Sequence, residues 1–254
     1  MKHKNVDVTV YGFKNIGTEE KCREVIDVLM RNGLVPLKYG TSERPKNVFN
    51  IEDFVKLWTD MEKKKGFGIP FIRGDDFYVS ISWGGAKPYY TFLNIAAKKF
   101  SDWKSVIEFS KDLFSWNESC YGYIGLDGVV DRLYAPGLNI IDCLGGITWA
   151  NFFGKPYVDM WGEEKLLKAP TWKTERLKDG GYLLITDESP TAIGRDDAEK
   201  KLREYLGEKY FYKKPLINKS ETITREELYE KVFGDHEPEP TGYMAPDFSN
   251  YYDL

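Results

Sequence analysis

The order of apolar and polar positions predicts a strand followed directly by a helix at the start of the chain. Apolar residues stand at every second position between Val6 and Phe13, which is the period of a half-buried strand. The spacing then changes to three and four residues between Thr18, a suitable helix N-cap, and Gly33, a common helix end. A second amphipathic helix, capped by Asn50, carries Trp and Phe on its apolar face and is expected to dock on a sheet.

The rest of the chain predicts further strands interleaved with helices. Strands are predicted at 77–83, 89–95, 121–126 and 147–153, the first two as a hairpin, and helices at 101–116, 196–206 and 224–233. The turn Asp179-Gly180-Gly181 separates two alternating runs, which is a strong hairpin signal. Pro156 begins a short helix directly after the strand at 147–153.

This order of elements does not follow the regular strand–helix alternation of a parallel α/β fold. The sequence therefore predicts an α+β fold, with a mostly antiparallel sheet and helices packed on one side. The second half loosely repeats the first, which suggests two similar halves, at about 1–117 and 118–220, inside a single domain at 1–234. Residues 235–254 hold three prolines and no helical period, and predict an acidic, aromatic C-terminal tail that is extended or disordered.

Composition indicates an ordinary globular protein with a large share of aromatic residues. Hydrophobic residues make up 42% of the 254 positions, charged residues 30% and aromatic residues 15%. Such an aromatic share favours a thick core together with a recognition surface. No apolar run approaches the roughly 18 residues of a membrane helix, and the first residues lack a signal-peptide core. We therefore expect a cytoplasmic protein with no membrane partner.

The charge is concentrated at the C-terminal end of the chain. Residues 221–254 hold nine acids and two bases, whereas the net charge of the whole chain is −4. An acidic segment favours a basic protein partner and disfavours nucleic acid. A solvated tail that only aids solubility is the simpler interpretation. The sequence makes no prediction about the oligomeric state.

No group of residues forms a recognisable catalytic, cofactor or metal site. The loop between Gly12 and Thr18 connects a strand to a helix, but it lacks the Lys that a phosphate-binding P-loop needs. The two histidines, His3 and His236, stand near the ends of the chain, and the three cysteines are too widely spaced for a zinc motif. We therefore expect no cofactor and no bound metal, and a protein that is not an enzyme.

Two alternatives remain open at this stage. Trp and Tyr provide stacking faces for sugars, and glycosidases use two carboxylates, so a carbohydrate-active or carbohydrate-binding protein is the alternative from a different class. A third possibility is a phage or host interaction protein that blocks another system by binding to it.

The most distinctive segment is ITWANFFGKPYVDMWGEEKLL, residues 147–167. Its pattern alone predicts a strand that leads into a short helix and packs on a sheet through aromatic side chains. Together with the following GGYLLIT hairpin, Pro190 and the APDFS sequence at 245–249, it resembles bacterial immunity proteins of polymorphic toxin and type VI secretion systems, particularly the immunity protein 52 group. The residues that carry the resemblance are Trp149, Asn151, Phe153, Gly154, Pro156, Tyr157 and Gly162.

This resemblance implies a cytoplasmic antitoxin that binds a cognate toxin and neutralises it by stoichiometric inhibition. Acidic surfaces steer association with basic proteins, so the toxin is expected to have a basic surface. The predicted contact residues are acidic and aromatic side chains of the tail, namely Glu237, Glu239, Tyr243, Asp247 and Phe248.

Overall fold

An antiparallel sheet forms the centre of the part of the chain that the computed structural model describes, residues 5–84, 91–98, 100, 102–126, 140–212 and 243–251. Its strands are β1 (Val6–Gly12), β2 (Lys38–Gly40), β3 (Asn47–Val48), β4 (Phe67–Gly68), β5 (Phe71–Arg73), β6 (Phe77–Gly84), β7 (Thr91–Ala97), β8 (Tyr121–Leu126), β9 (Ala150–Phe153), β10 (Lys173–Arg176) and β11 (Tyr182–Ile185). They lie in the order β10-β11-β9-β8-β1-β7-β6-β5-β2-β3, and β4 pairs with β6 beside β5.

Six α-helices lie within the described residues, and the side chains of Thr18, Asn50 and Asp102 cap three of them. They are α1 (Glu19–Arg31), α2 (Ile51–Lys65), α3 (Trp103–Trp116), α4 (Lys155–Trp161), α5 (Glu163–Leu167) and α6 (Arg195–Leu206). The Thr18 hydroxyl accepts a hydrogen bond from the Lys21 backbone N–H at the start of α1, and the Asn50 side chain accepts from the Glu52 and Asp53 N–H groups at the start of α2. Both predicted N-caps are confirmed.

The predicted fold class is confirmed, because the sheet is large and antiparallel and the fold is mixed α+β. The predicted hairpins at 77–95 and around Asp179 are present as β6–β7 and β10–β11. The sheet continues between the two proposed halves, since β1 pairs with β8. The helix predicted at 224–233 lies outside the described residues.

The alternating pattern predicts that strand β1 is half-buried, but the structure buries it almost completely. Six of its seven residues are buried, including Asp7 and Thr9 on the face opposite the valines. The reason is its place in the middle of the sheet, between β7 and β8. Polar residues at alternate strand positions usually indicate a face exposed to solvent, but Asp7 and Thr9 face other protein groups.

Helices α1, α2 and α3 cover one face of the sheet, which we call the helix face. Apolar side chains at alternate strand positions pack beneath them into one continuous core. Trp58 of α2 stacks on Trp83 of β6 with ring centroids 4.2 Å apart, and its indole N–H donates to the Ile16 carbonyl at 2.8 Å. Phe114 of α3 stacks on Phe152 of β9 at 5.3 Å. Aromatic packing therefore joins both halves of the sheet to the same helical layer.

Helices α4, α5 and α6 pack on the opposite face, over β8, β9 and β11. There a second core contains Phe153, Tyr157, Trp161, Tyr182 and Leu202. The sequence predicted helices on one side, whereas the structure has a helical layer on each face. All residues of β8, β9 and β11 are buried, so these strands need cover on both faces.

The short strands β2 to β5 were not predicted from the sequence. Each is two or three residues long, too short to display a period, and glycine and proline interrupt the region. Among the described residues, none of the helices combines the length and the apolar character needed to cross a bilayer.

Candidate functional site

The face opposite the helix face changes character between its two halves. Over β8, β9 and β11 it is fully buried, whereas on β6 and β7 buried and half-exposed positions alternate without exception. We use the name open face for the half-exposed side chains that point outward here from β1, β5, β6 and β7: Tyr11, Phe71, Tyr78, Ser80, Ser82, Phe92, Asn94 and Ala96. It is a strip of aromatic, hydroxyl and amide groups beside an apolar, covered region.

Strand register fixes the spacing of these groups. Phe71, Ser80, Asn94 and Thr9 are successive cross-strand partners, so they form one row across four strands. Asn94 is held in place because its side-chain amide donates to the Thr9 hydroxyl at 2.9 Å. Neighbouring strands lie about 4.8 Å apart, so the row presents its groups at regular intervals on a rigid support.

Aromatic rings frame the open face at both ends. Tyr11 packs against Phe92 with centroids 5.3 Å apart, and Phe71 stacks on Tyr78 at 5.9 Å. The hydroxyl of Tyr78 is buried and has no hydrogen-bond partner among the described residues, and burial together with the negative charge of Glu43 raises the pKa of this phenol to about 12. Within the described part of the chain, the Tyr78 hydroxyl is therefore a neutral group with unused hydrogen-bonding capacity.

A cluster of tyrosines marks the border between the covered and the open halves. Tyr11 stacks on Tyr121 at 5.9 Å and lies 6.3 Å from the ring of Tyr123. Burial raises the pKa of Tyr123, while hydrogen bonds with the Thr9 and Tyr11 side chains partly oppose that rise. Burial also raises the pKa of Tyr121, so the Tyr121 and Tyr123 phenols stay protonated near neutral pH and can donate or accept hydrogen bonds.

The composition of the open face suits recognition of another surface. Tyr, Ser and Asn are the residue types enriched in antibody binding loops, because Tyr gives a large contact area at low entropy cost and Ser and Asn give adaptable hydrogen bonds. Here rigid strands carry them instead of loops. Such a surface can bind an extended or flat partner through hydrogen bonds and aromatic contacts.

The described residues of the predicted tail pack against the body of the protein. Phe248 is only 3% exposed and lies 5.0 Å from the Phe13 ring and 5.9 Å from the Tyr157 ring. Tyr243 lies 6.0 Å from the ring of Tyr212, and the Met244 N–H donates to the Lys209 carbonyl at 2.9 Å. Residues 243–251 thus pack against the body of the protein and contain one short 3-10 turn at Phe248–Asn250.

The other proposed contact residues have different surroundings. Asp247 is exposed and caps a short 3-10 turn, and hydrogen bonds from the Ser249 hydroxyl and N–H lower the pKa of its carboxyl group. Glu237 and Glu239 lie outside the described residues. Contact of these side chains with a partner stays a prediction, but Phe248 has little exposed surface to offer in this conformation.

The residues that carry the family resemblance form a continuous structural unit. Strand β9 ends at Phe153, Gly154 is the N-cap of α4, and Pro156 lies in the first turn of that helix. A Cβ atom on Gly154 would come within 2.7 Å of the Ser119 carbonyl, so only glycine allows this close approach. Gly162, with φ +84°, separates α4 from α5.

Buried hydrogen bonds fix the start of this unit. The Trp149 indole N–H donates to the Asp187 carbonyl at 2.7 Å. Asn151 is fully buried, and its side chain accepts from the Thr148 N–H at 3.0 Å and donates to the Thr148 carbonyl at 2.9 Å. Phe153 and Tyr157 join the aromatic core 5.7 Å from each other. The contacts in the structure give these residues a structural role.

Replacing Asn151 with Leu is expected to destabilise the fold without affecting any exposed surface. The two Thr148 backbone groups would lose their partners in a buried site, which costs about 1–3 kcal/mol each. The midpoint of urea unfolding measures this loss. Asn47→Leu on the exposed strand β3 is the control, and an equal effect of the two changes would contradict the role of the buried network.

Most tryptophans are core residues. Five of the seven are buried: Trp58, Trp83, Trp116, Trp149 and Trp161. Trp172 is exposed at 55% and lies beside the edge strand β10. The tryptophans therefore contribute chiefly to the two cores, and only in smaller part to the surface.

The described residues contain no cluster of three or more His, Cys, Asp or Glu residues placed to hold a metal ion. Cys22, Cys120 and Cys143 are free and buried, and burial raises the pKa of each thiol.

Comparisons with known proteins extend to the fold alone. No protein-family model matches the sequence, and a search of curated protein sequences gives no significant match. Among solved structures, the chain is similar to the Pseudomonas aeruginosa T6SS protein PA0821, with a TM-score of 0.57 and 13% sequence identity. The similarity covers 80% of this chain and 72% of that one. At this identity it shows a shared fold.

The open face was not recognised from the sequence. Its signal was present in the 77–83 and 89–95 runs, where Tyr, Ser and Asn occupy the polar positions between apolar ones. A polar position on a strand usually indicates solvent, so the alternation alone does not distinguish a binding surface from an ordinary one. The register of β5, β6, β7 and β1 brings these positions together.

Proposed function

We propose that this chain is an immunity protein that binds a cognate bacterial toxin and neutralises it by stoichiometric inhibition, without catalysis of its own. The observation that carries the proposal is the open face, where tyrosine, serine and asparagine side chains stand half-exposed on rigid strands. A preformed surface of this kind loses little conformational entropy on binding, so its contacts add directly to affinity.

Two further observations support a role in type VI secretion. The chain shares its fold with a protein whose name assigns it to a type VI secretion system, over most of both chains. The segment 147–167, which resembles immunity proteins in sequence, is a buried structural unit in this fold. The residues that carry the resemblance to immunity proteins thus stabilise the fold, whereas the open face lies on other strands.

A carbohydrate-binding role has less support. Sugar-binding platforms use exposed tryptophan or tyrosine rings, whereas five of the seven tryptophans here are in the core. Tyr78 and Phe71 are half-exposed, but they stack on each other. The mixture of small hydroxyl, amide and aromatic groups on the open face fits a protein surface better.

Coexpression with the toxin encoded beside its gene tests the proposed function. We expect the chain to protect cells from that toxin and to form a stable complex with it. In a titration of purified toxin, residual toxin activity should fall linearly and reach zero near one chain per toxin, because inhibition by binding consumes one inhibitor for each target.

Two results would overturn the proposal. One is the absence of both protection and complex formation. The other is full inactivation of the toxin by a small fraction of an equivalent of this chain, which would indicate turnover.

A further inference from the structure

The open face continues into a groove at the β2–β5 end of the sheet. This groove has a volume of about 790 Å³ and is lined by Thr41, Ser42, Glu43, Arg44, Lys46, Ile69 and Phe71. Phe71 belongs to both surfaces, because it lies between Gly40 of β2 and Ser80 of β6 in the register. A partner segment lying on the open face can therefore extend into the groove without a break.

Two arginines at this end of the sheet make no ion pair among the described residues, and one of them, Arg44, lines the groove. The structure describes seven arginines, and five of them form ion pairs with Asp or Glu: Arg23, Arg31, Arg176, Arg195 and Arg203. The other two, Arg44 and Arg73, are exposed and make no ion pair within the described residues, and both lie at this end of the sheet. Among the described arginines, the two without an ion pair therefore both lie at the β2–β5 end of the sheet.

Two lysines add to the same cluster. Lys46 lines the groove, and Lys38 lies directly opposite Arg73 in the antiparallel register of β2 and β5. Like charges directly opposite each other on one face of a sheet are destabilising. The acids at this end are Glu43 in the groove and Asp75 and Asp76 in the turn after β5, so the four bases outnumber them by one. An anionic group bound here would offset the repulsion between Lys38 and Arg73.

Apolar groups lie among these charges. Ile69, which lines the groove, is 45% exposed, and Val48, which lies opposite Lys38 in the register of β2 and β3, is 81% exposed. Large aliphatic side chains exposed together are typical of a protein-binding surface. A phosphate backbone has no group that would bury them, so the mixture of bases and aliphatic groups favours a protein segment.

We propose that this groove docks an acidic segment of the partner protein, with carboxylates on Arg44 and Arg73 and an aliphatic side chain against Ile69 and Phe71. The inference rests on the proposed function, since the partner is the toxin, and it specifies which part of the toxin binds here. Arg suits this role because its planar guanidinium pairs with a carboxylate through two hydrogen bonds. The acidic C-terminal segment predicts a basic toxin surface, so the two regions would contact oppositely charged parts of one toxin.

The test is the affinity of Arg44→Ala/Arg73→Ala for the purified toxin encoded beside the gene. We expect at least a ten-fold loss at about 0.1 M salt and a much smaller loss at about 1 M, where screening shortens the Debye length from about 10 Å to about 3 Å. The matched control is Lys56→Ala/Lys104→Ala, which removes the same charge from exposed positions on α2 and α3. The control should keep wild-type affinity at both salt concentrations.

The outcomes separate this inference from the proposed function. Toxin binding that is equally tight in the arginine variant and in the wild-type chain overturns the acidic docking site and leaves the proposed function standing. Absence of toxin binding by the wild-type chain overturns both. Binding of duplex DNA or of a second copy of this chain that is lost in the arginine variant, with toxin affinity unchanged, would assign the groove to that partner instead.

Discussion

Replacing Phe248 with Ala is expected to lower the free energy of unfolding by about 3–5 kcal/mol, the range observed when a buried phenylalanine is truncated. Phe248 is nearly fully buried and joins the C-terminal segment to Phe13, directly after β1, and to Tyr157 in α4. Its removal leaves a cavity between parts of the chain that are far apart in sequence. A loss of this size is a large fraction of the stability of an ordinary domain.

Equilibrium urea unfolding measures the effect, with Met244→Ala as the control in the same segment. Met244 is 44% exposed, so its truncation should change stability by no more than about 0.5 kcal/mol. Equal unfolding midpoints for Phe248→Ala and the wild-type chain would show that the segment does not contribute to the fold in solution.

This prediction changes how the tail should be tested as a binding element. Deletion of residues 235–254 removes the proposed contacts Glu237, Glu239 and Asp247, but it also removes the buried Phe248. Weaker toxin binding by the truncated chain would therefore not distinguish a lost contact from a destabilised fold. Point substitutions at exposed positions such as Asp247 separate the two effects.

Local sequence signals predicted much of the secondary structure. Thr18 and Asn50 cap α1 and α2, and the turn around Asp179 forms the β10–β11 hairpin, because each signal is contained within a few residues. Which side of each strand is buried, and which helices cover it, depends on contacts between residues far apart in the sequence. Asp7 and Thr9 are buried since β1 lies between strands 80 to 120 residues away, which no local period records.

The candidate site could be predicted only in part. Residues Trp149 to Gly162 were identified as distinctive, and the structure gives them a packing role. The open face combines residues from four strands, and the groove adds a loop between β2 and β3. Ser80 and Asn94 have no sequence motif, and only the register shows that they are neighbours.

Enlarging the open face at Ser80 and Ser82 is expected to abolish tight binding of the toxin. Both side chains are half-exposed at alternate positions of β6, so Ser80→Gln/Ser82→Gln adds bulk to the surface without changing its charge. If the partner packs on this face, each substitution should weaken affinity about ten-fold and the pair about a hundred-fold, which corresponds to about 2.7 kcal/mol. The fold should be unaffected, because neither side chain is fully buried.

The control is Ser115→Gln, the same replacement at an exposed position on α3, the helix layer of the other face. The dissociation constant of the toxin is measured for the wild-type chain, the control and the double variant. This measurement tests most directly whether the open face is the binding surface. If the open face binds the toxin, the wild-type chain and the control should give equal dissociation constants, and the double variant should give one about a hundred times larger. Equal affinity of all three for the toxin, with intact folds, would contradict it.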